Sequence, residues 1–443
     1  MSIDPSEREW RLVTRTLEAS RGIFRSFYNL RPSFDEPKLF HFVGELRTPA
    51  NITICDAEEE GEGNDVVGGC SLNKSRAALK AVGEGIERFA LLPTPGLPLQ
   101  SGSFRDLSDR GAIDPGLFAV GIKAATTDCT DLKLKWVVGR NLQTSATALL
   151  PAQFIYVPHI FADGEAVLRA PITTGAAASL DAESARLKGV LEAIERDAFM
   201  VAWLRQANLR KISLPVGSEG KTASDELNGL LRNFERYKLA AYAYLLPSDA
   251  PAHTIMAVLE DDSGCDPRMT FGTKSSPLKE AALIGALEEA FQMRSWMREL
   301  SEEPGMEPKD ISAPQTLRER AHLWMKDASL QLFQTWTADA IGEVELGALP
   351  DLSNIRLGDL VSHLEDSTEK SCYSVDLTDA LPSEVKSIGW QVHKVVCPGL
   401  QPLYLTEALA DIDWRRLETL EQRTGVECRK AWQDPETYPH PFL

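Results

Sequence analysis

Two charged helical segments of this chain, about a hundred residues apart, are written to one pattern. Lys80-Ala-Val-Gly-Glu84-Gly-Ile-Glu87-Arg88 aligns position for position with Lys188-Gly-Val-Leu-Glu192-Ala-Ile-Glu195-Arg196. On an α-helix, residues i, i+4, i+7 and i+8 share a face. Lys80, Glu84, Glu87 and Arg88 therefore form one charged stripe, and Lys188, Glu192, Glu195 and Arg196 form a second. Val82 and Ile86 on one helix, and Val190 and Ile194 on the other, predict that the remaining surface is buried. A charged stripe on an otherwise apolar helix must face water, a partner charge or a ligand. As i,i+4 ion pairs, Glu84–Arg88 and Glu192–Arg196 would contribute only about 0.2–0.5 kcal/mol each. A solvated face does not require the same residue type at each step in two copies. Gly83, Gly85, Gly189 and Ala193 leave little bulk beside the charges, which suits close approach of a second element.

A third long helix is expected over residues 276–300, carrying Glu288, Glu289, Gln292 and Arg294. Glu289 and Gln292 stand at i,i+3 and Glu288 and Gln292 at i,i+4, so either pair can face one cavity. Three helices that each bring carboxylates to one place repel one another when the place is empty. Divalent cations resolve the conflict, because Mg²⁺ is held by a few carboxylates together with substrate phosphates. Arginines beside those carboxylates then meet phosphate oxygens. The stripes fit a Mg–nucleotide site better than a surface. The usual phosphate cradles do not account for it: "GSEGKT" (217–222) would need glycine where Pro215 stands, and "GEGNDVVGG" (61–69) lacks the third glycine of a dinucleotide turn.

The remaining sequence sets bounds. Asp and Glu number 65 against 47 Lys and Arg, a net charge of −18, which argues against general nucleic-acid binding. The charged start "MSIDPSEREW" has no apolar h-region, and no apolar run nears the roughly 20 residues that span a bilayer, so a cytoplasmic protein without membrane contact is expected. Seven scattered cysteines with no C-x-x-C pair argue against both structural zinc and a disulfide framework.

Alternating strands and helices without a strict βαβ rhythm predict a mixed α/β (α+β) fold with long helices flanking sheets. Helices are expected over 7–30, over 71–92 with Ser71 or Asn73 as cap, from Asp181 onward, and near the end of the chain. Strands are expected at "KWVVGRNL", "TALLPAQFIYVP", "EAVLRAP", "YKLAAYAYLL" and "TIMAVLED", with a buried strand and turn over 390–405. Residues 302–350 read as a helical insertion or lid. The expected organisation is an N-terminal helical region with an acidic loop (1–67), then a catalytic domain (68–443) ending in a Pro-rich tail (435–443).

As a set, these segments resemble the YcaO family. The match lies in "KAVGEGIER", "LEAIERDA" (191–198) and "LEEAFQMR" (287–294), supported by "TTGAAAS", "VVCPGLQPL" and the terminal "PHPF". The resemblance implies that ATP and Mg²⁺ are held by Glu84, Glu87, Arg88, Glu192, Glu195, Arg196, Glu289 and Gln292, with Glu288 and Arg294 beside them. Its implied metal ligands are Glu84, Glu87, Glu192, Glu195 and Glu289. Lys80 departs from the family pattern, which has serine there, and a lysine can still meet phosphate. The best-known members are cyclodehydratases of ribosomally made peptides. In these, a substrate Cys, Ser or Thr attacks the preceding carbonyl and ATP phosphorylates the resulting oxyanion, giving thiazolines and oxazolines. Other members install thioamides or amidines. A terminal P-x-P-x-P is implicated in their active sites; Pro439 and Pro441 match it, Leu443 replaces the third proline, and the resemblance implies delivery of the Leu443 carboxylate into a pocket. It further implies a precursor peptide as substrate, a separate E1-like leader-binding partner and a flavin-dependent dehydrogenase. A non-catalytic docking subunit is the alternative.

Overall fold

Three strand-then-helix units build the part of the molecule that matters for function, and each shows the same local construction. In the first, strand β3 (Val66–Ser71) leads into helix α2 (Lys74–Leu91), capped by the Asn73 side chain, which accepts from the Ser75 and Arg76 N–H groups. In the second, β7 (Ala176–Ser179) precedes the long helix α4 (Ala182–Arg205), whose Asp181 cap accepts from the Ser184 N–H at 2.7 Å. In the third, β11 (Met269–Ser276) precedes α6 (Lys279–Ser301). The computed structural model describes residues 4–47, 65–94, 96–118, 128–214, 224–301, 314–338, 340–407 and 410–442.

Each unit is drawn tight by glycine. A side chain at Gly69 would run into Ala77 O and Ala81 N of α2, and one at Gly272 into Ala286 O and Ala290 N of α6. At Gly189 of α4 a Cβ would lie 2.5 Å from the Gly175 carbonyl. Helix backbone thus lies directly on strand backbone, so helix side chains can reach the strand's N–H groups.

The units belong to different sheets. An antiparallel sheet of β1 (Phe24–Leu30), β2 (Phe40–Leu46) and β3 packs with α1 (Pro5–Ala19) on α2. A second runs β11, β10 (His253–Asp261), β9 (Leu239–Leu245), β8 (Arg210–Ser213) and β12 (Glu343–Glu345), antiparallel except for the β8–β12 pair. Helix α5 (Asp225–Arg236) lies between β8 and β9 in the chain. The third sheet runs β4 (Gln100–Gly102), β5 (Leu134–Asn141), β13 (Tyr373–Asp376), β14 (Gln391–Val396) and β7, with β6 (Thr147–Pro151) also on β5. The single-turn α3 (Phe104–Leu107) follows β4. Mixed sheets among long helices make an α+β fold, as the sequence predicts.

Several local expectations change. The helix predicted over 7–30 stops at Ala19, because Gly22 follows and "FRSFYNL" then pairs as β1 against β2. The boundary expected at residue 67 falls inside β3, so the first strands share a sheet with the region after it. "EAVLRAP" (165–171) is irregular, not a strand. Between 302 and 350 the described residues include helices α7 (Leu317–Trp324) and α8 (Asp327–Ala338). Trp324, Trp336 and Phe333 from these helices pack around Trp203 of α4, in a cluster that also takes in Phe442.

Candidate nucleotide and metal site

In each of the three units a helix glutamate accepts a hydrogen bond from a backbone N–H of its own strand or strand approach. The Gly68 N–H donates to Glu84 at 3.0 Å, the Gly175 N–H to Glu192 at 3.1 Å, and the Thr273 N–H to Glu289 at 2.8 Å. One turn further along each helix stands a second group: Glu87, Glu195 and Gln292. Glu195 is fully buried and accepts from the Ser275 N–H at 2.8 Å and the Thr273 hydroxyl at 3.2 Å, with Lys274 Nζ 3.5 Å away.

The helices meet in pairs at these groups. Burial and the neighbouring Glu192 push Glu87 well above the ordinary carboxyl range, which joins α2 to α4. Burial, with the charge of Glu195, raises Glu289 to about 7, which joins α4 to α6. Gln292 Nε2 comes within 2.7 Å of where a Gly68 side chain would begin, which joins α6 to the anchor of Glu84. Arg88 lies 3.3 Å from Glu84, and Arg196 lies 3.6 Å from both Glu192 and Glu195. Nε and Nη1 of Arg196 are sealed from solvent and have no hydrogen-bond partner. A cation with an unpartnered Nε near Glu289, which burial and Glu195 hold protonated more readily than an ordinary carboxyl, fits an anion bridged to the carboxylates by divalent cations.

Among the described residues, no three His, Cys, Asp or Glu side chains come close enough to enclose a metal ion by themselves. Glu84, Glu87, Glu192, Glu195 and Glu289 stand on three helices that approach one another through these groups, and they do not form an all-protein cage. Magnesium suits such an arrangement, since it completes its shell from substrate oxygens and water.

Three expected contacts take other roles. Arg294 is buried and spent on Asp261 (2.5 Å), Glu36 (3.1 Å) and the Pro267 carbonyl (2.7 Å), so it is closed to a ligand. Lys80 and Glu288 pair with each other at 2.5 Å, tying α2 to α6. The tail is packed, not frayed. Trp324 Nε1 donates to the Pro439 carbonyl, Arg320 to that of His440, and Pro441 and Phe442 are buried. Burial holds the His440 imidazole neutral, its Nε2 donating to the Tyr404 carbonyl while Nδ1 accepts from the Phe442 N–H. The Arg196 guanidinium sits over the Phe442 ring at 3.8 Å. Leu443 lies outside the described residues.

Residues 68–401 match the family described as YcaO cyclodehydratase, ATP- and Mg²⁺-binding. The chain belongs to the YcaO family. An uncharacterised protein of Methanothermobacter thermautotrophicus is 28% identical over 279 residues, covering 61% of this chain and 67% of that protein. The fold is similar to that of YcaO from Methanopyrus kandleri bound with AMPPCP and Mg²⁺, with a TM-score of 0.63, 21% identity, and 90% and 92% of the two chains covered. A heterocyclase in complex with substrate and cofactor gives a TM-score of 0.71 at 15% identity, covering 97% of this chain and 57% of that one. The E. coli microcin synthetase McbBCD complex gives 0.58 at 13% identity, covering 84% and 88%.

Sequence reasoning missed two cations. Lys394 is buried in β14 and donates to the Ile172 and Thr174 carbonyls at 2.7 and 2.6 Å. Burial lowers it to about 7 against the pull of Glu192 and Glu87. A lone lysine in the apolar run "QVHKVV" is the signal that would have found it, because a buried charge needs partners. Lys274 sits in β11 between Thr273 and Ser275, and only register reveals that it reaches Glu195.

Proposed function

We propose that this YcaO protein catalyses ATP- and Mg²⁺-dependent cyclodehydration of Cys, Ser or Thr in a ribosomally made precursor peptide, forming thiazoline or oxazoline. Glu84, Glu87, Glu192, Glu195 and Glu289 share the Mg²⁺ ions with the nucleotide phosphates. Arg88, Arg196 and Gln292 address the phosphate oxygens. The ATP supplies a phosphoryl group for the amide oxygen, so that phosphate and not hydroxide leaves when the ring's C=N bond forms. The chain's own task is to position that oxygen and offset its charge, which carries most of the catalysis in phosphoryl transfer.

The observation that carries the reading is the packed "PHPF" segment, with Phe442 lying on the half-idle guanidinium of Arg196. That contact supports a reading in which the Pro-rich tail and the carboxylate cluster serve one site. The microcin synthetase complex with pro-MccB17 bound supports a peptide substrate and a multi-protein assembly. An E1-like leader-binding protein and a flavin-dependent dehydrogenase are the partners proposed.

The test is to incubate the protein with its leader-binding partner, a Cys/Ser-containing precursor and Mg-ATP. Loss of one water mass per ring, with matching phosphate release, is expected. Absence of both would sink the proposal. The missing third proline in Pro439-His440-Pro441-Phe442-Leu443 favours a second reading, thioamide or amidine formation. Exchange of oxygen for sulfur, or consumption of an internal amine, identifies it. A docking subunit without ATP turnover would bind no Mg-ATP. Its only support, Lys80, is weakened by the Lys80–Glu288 pair.

A further inference from the structure

Beyond the carboxylate cluster lies an open cleft of about 460 Å³, counting the space exposed to solvent. One wall is the irregular segment carrying Arg169, Ile172 and Thr174. The other is the end of β14 and the turn after it, with Leu400 and Pro402, and Phe118 contributes at the side. Its floor includes Ala193, the residue after Glu192 on α4, so the cleft adjoins the proposed nucleotide site. The Ile172 and Thr174 carbonyls are pinned by Lys394, which is also close enough to be pulled by Glu192 and Glu87.

Arg169 is the unusual member. Its guanidinium is stacked 4.3 Å from the centre of the Phe154 ring, which fixes its orientation. Its Nε is sealed from solvent without a hydrogen-bond partner. Its charge reaches Asp411, itself buried, with Oδ1 also sealed and unpartnered. Sealed donors and acceptors left unmade cost about 1–3 kcal/mol each, a cost that a ligand completing them would recover. A small cleft of mixed polar and apolar lining with one fixed donor suits a short stretch of peptide backbone with small side chains.

We propose that this cleft seats the residues flanking the amide to be activated, with Arg169 donating to a backbone carbonyl of the substrate peptide. This rests on the cyclodehydratase reading and names where its substrate lies. On this reading Arg169 touches the peptide and not the nucleotide, and this sets the experiment.

Three proteins are compared in the presence of the leader-binding partner: wild type, Arg169→Ala and Arg169→Lys. Pro402→Phe, which narrows the cleft from the opposite wall, is a fourth. Mg-ATP binding is measured by calorimetry, and binding of a fluorescently labelled Cys/Ser peptide by anisotropy. Where rings form, KM for the peptide is measured as well. Arg169→Ala and Pro402→Phe are expected to weaken peptide binding about tenfold, the loss of one good hydrogen bond or more, with Mg-ATP affinity unchanged. Arg169→Lys is expected to recover part of the loss. Retained nucleotide binding shows that each variant is folded. Loss of Mg-ATP binding in Arg169→Ala would make it a phosphate contact and overturn the proposal. Peptide binding equal to wild type in both cleft variants, or no peptide binding by wild type, would overturn it too. If wild type binds peptide through Arg169 yet forms no ring, the cleft stands and the cyclisation reading fails.

Discussion

Replacing Glu289 by glutamine should stabilise the empty protein while abolishing its response to Mg-ATP. In the native structure burial and Glu195 hold Glu289 at about 7, against an ordinary 4.5. At about 1.4 kcal/mol for each tenfold change in proton affinity, keeping it ionised costs the fold about 3 kcal/mol. The pH dependence follows from the sign. Below 4.5 both native and unfolded chains hold the proton, and the cost is absent. As pH rises toward 7 only the unfolded chain gives its proton up, so stability falls; above 7 the full cost is present. In Glu289→Gln the new side chain would carry no charge and still accept from the Thr273 N–H through its amide oxygen. An unfolding entropy of about 2.1 cal/mol/K per residue over 443 residues makes 3 kcal/mol about 3 °C in Tm. Differential scanning fluorimetry at pH 8 should show Glu289→Gln melting about 3 °C above wild type, and at pH 5 the gap should narrow to about 1 °C. Mg-ATP at about a hundred times its Kd should add roughly 2.7 kcal/mol to wild type and nothing to the variant. A variant less stable than wild type at pH 8, or one that keeps the nucleotide shift, would refute the idea that these carboxylates are strained together for a cation.

Other substitutions separate structure from site. Arg294→Met leaves buried Asp261 without its cation, while Glu36 keeps Arg298; it should cost about 3–5 kcal/mol in urea unfolding, while the protein that remains folded binds Mg-ATP normally, and weakened nucleotide affinity would return Arg294 to the site. Gly272→Ala places a methyl against the α6 backbone at Ala286 and Ala290; displacing Glu289 with the helix, it should lower both Tm, by roughly 1–3 kcal/mol equivalent, and Mg-ATP affinity by calorimetry, and unchanged affinity would mean that the helix is not held by this contact. Phe442→Ala removes the ring beneath Arg196. It should reduce kcat for ring formation about tenfold or more, with a smaller change in KM for ATP; equal kinetics would leave the tail a purely structural element.

What the sequence discloses depends on the range of the interactions involved. The pairing of Glu84 with Glu87, Glu192 with Glu195, and Glu289 with Gln292 is legible because one turn of helix sets it. The strand side of each unit is not. Gly68, Gly175 and Thr273 hold the glutamates through backbone N–H groups, 16 or 17 residues away along the chain, and a backbone donor leaves no mark on residue identity. Arg294 shows the converse. Its spacing on α6 is as favourable as that of Gln292, yet Asp261 and Glu36 reach it from elements 33 and 258 residues away. Nothing in the local pattern distinguishes a partnered arginine from an idle one.

The same reasoning explains why three units converge when only two repeat in sequence. Lys80 and Lys188 have Gly285 as their counterpart on the third helix, and Arg88 and Arg196 have Met293. What all three keep is a carboxylate bonded to its own strand, a second polar group one turn on, and a backbone contact too close for a side chain on the strand or helix. These are the parts that fix where a glutamate points. The flanking cations differ because each helix meets a different neighbour. Glu288 takes Lys80 for a structural tie across α2 and α6, while Arg196, against Phe442, has no partner for Nε and only a 3.6 Å approach of Nη1 to Glu195. If the cavity were only a structural junction, those donors would be expected to find internal partners, as those of Arg294 do. The asymmetry between Arg294, whose donors meet two carboxylates and a carbonyl, and Arg196, whose Nε meets none, is the strongest physical reason to place an anionic ligand at the second.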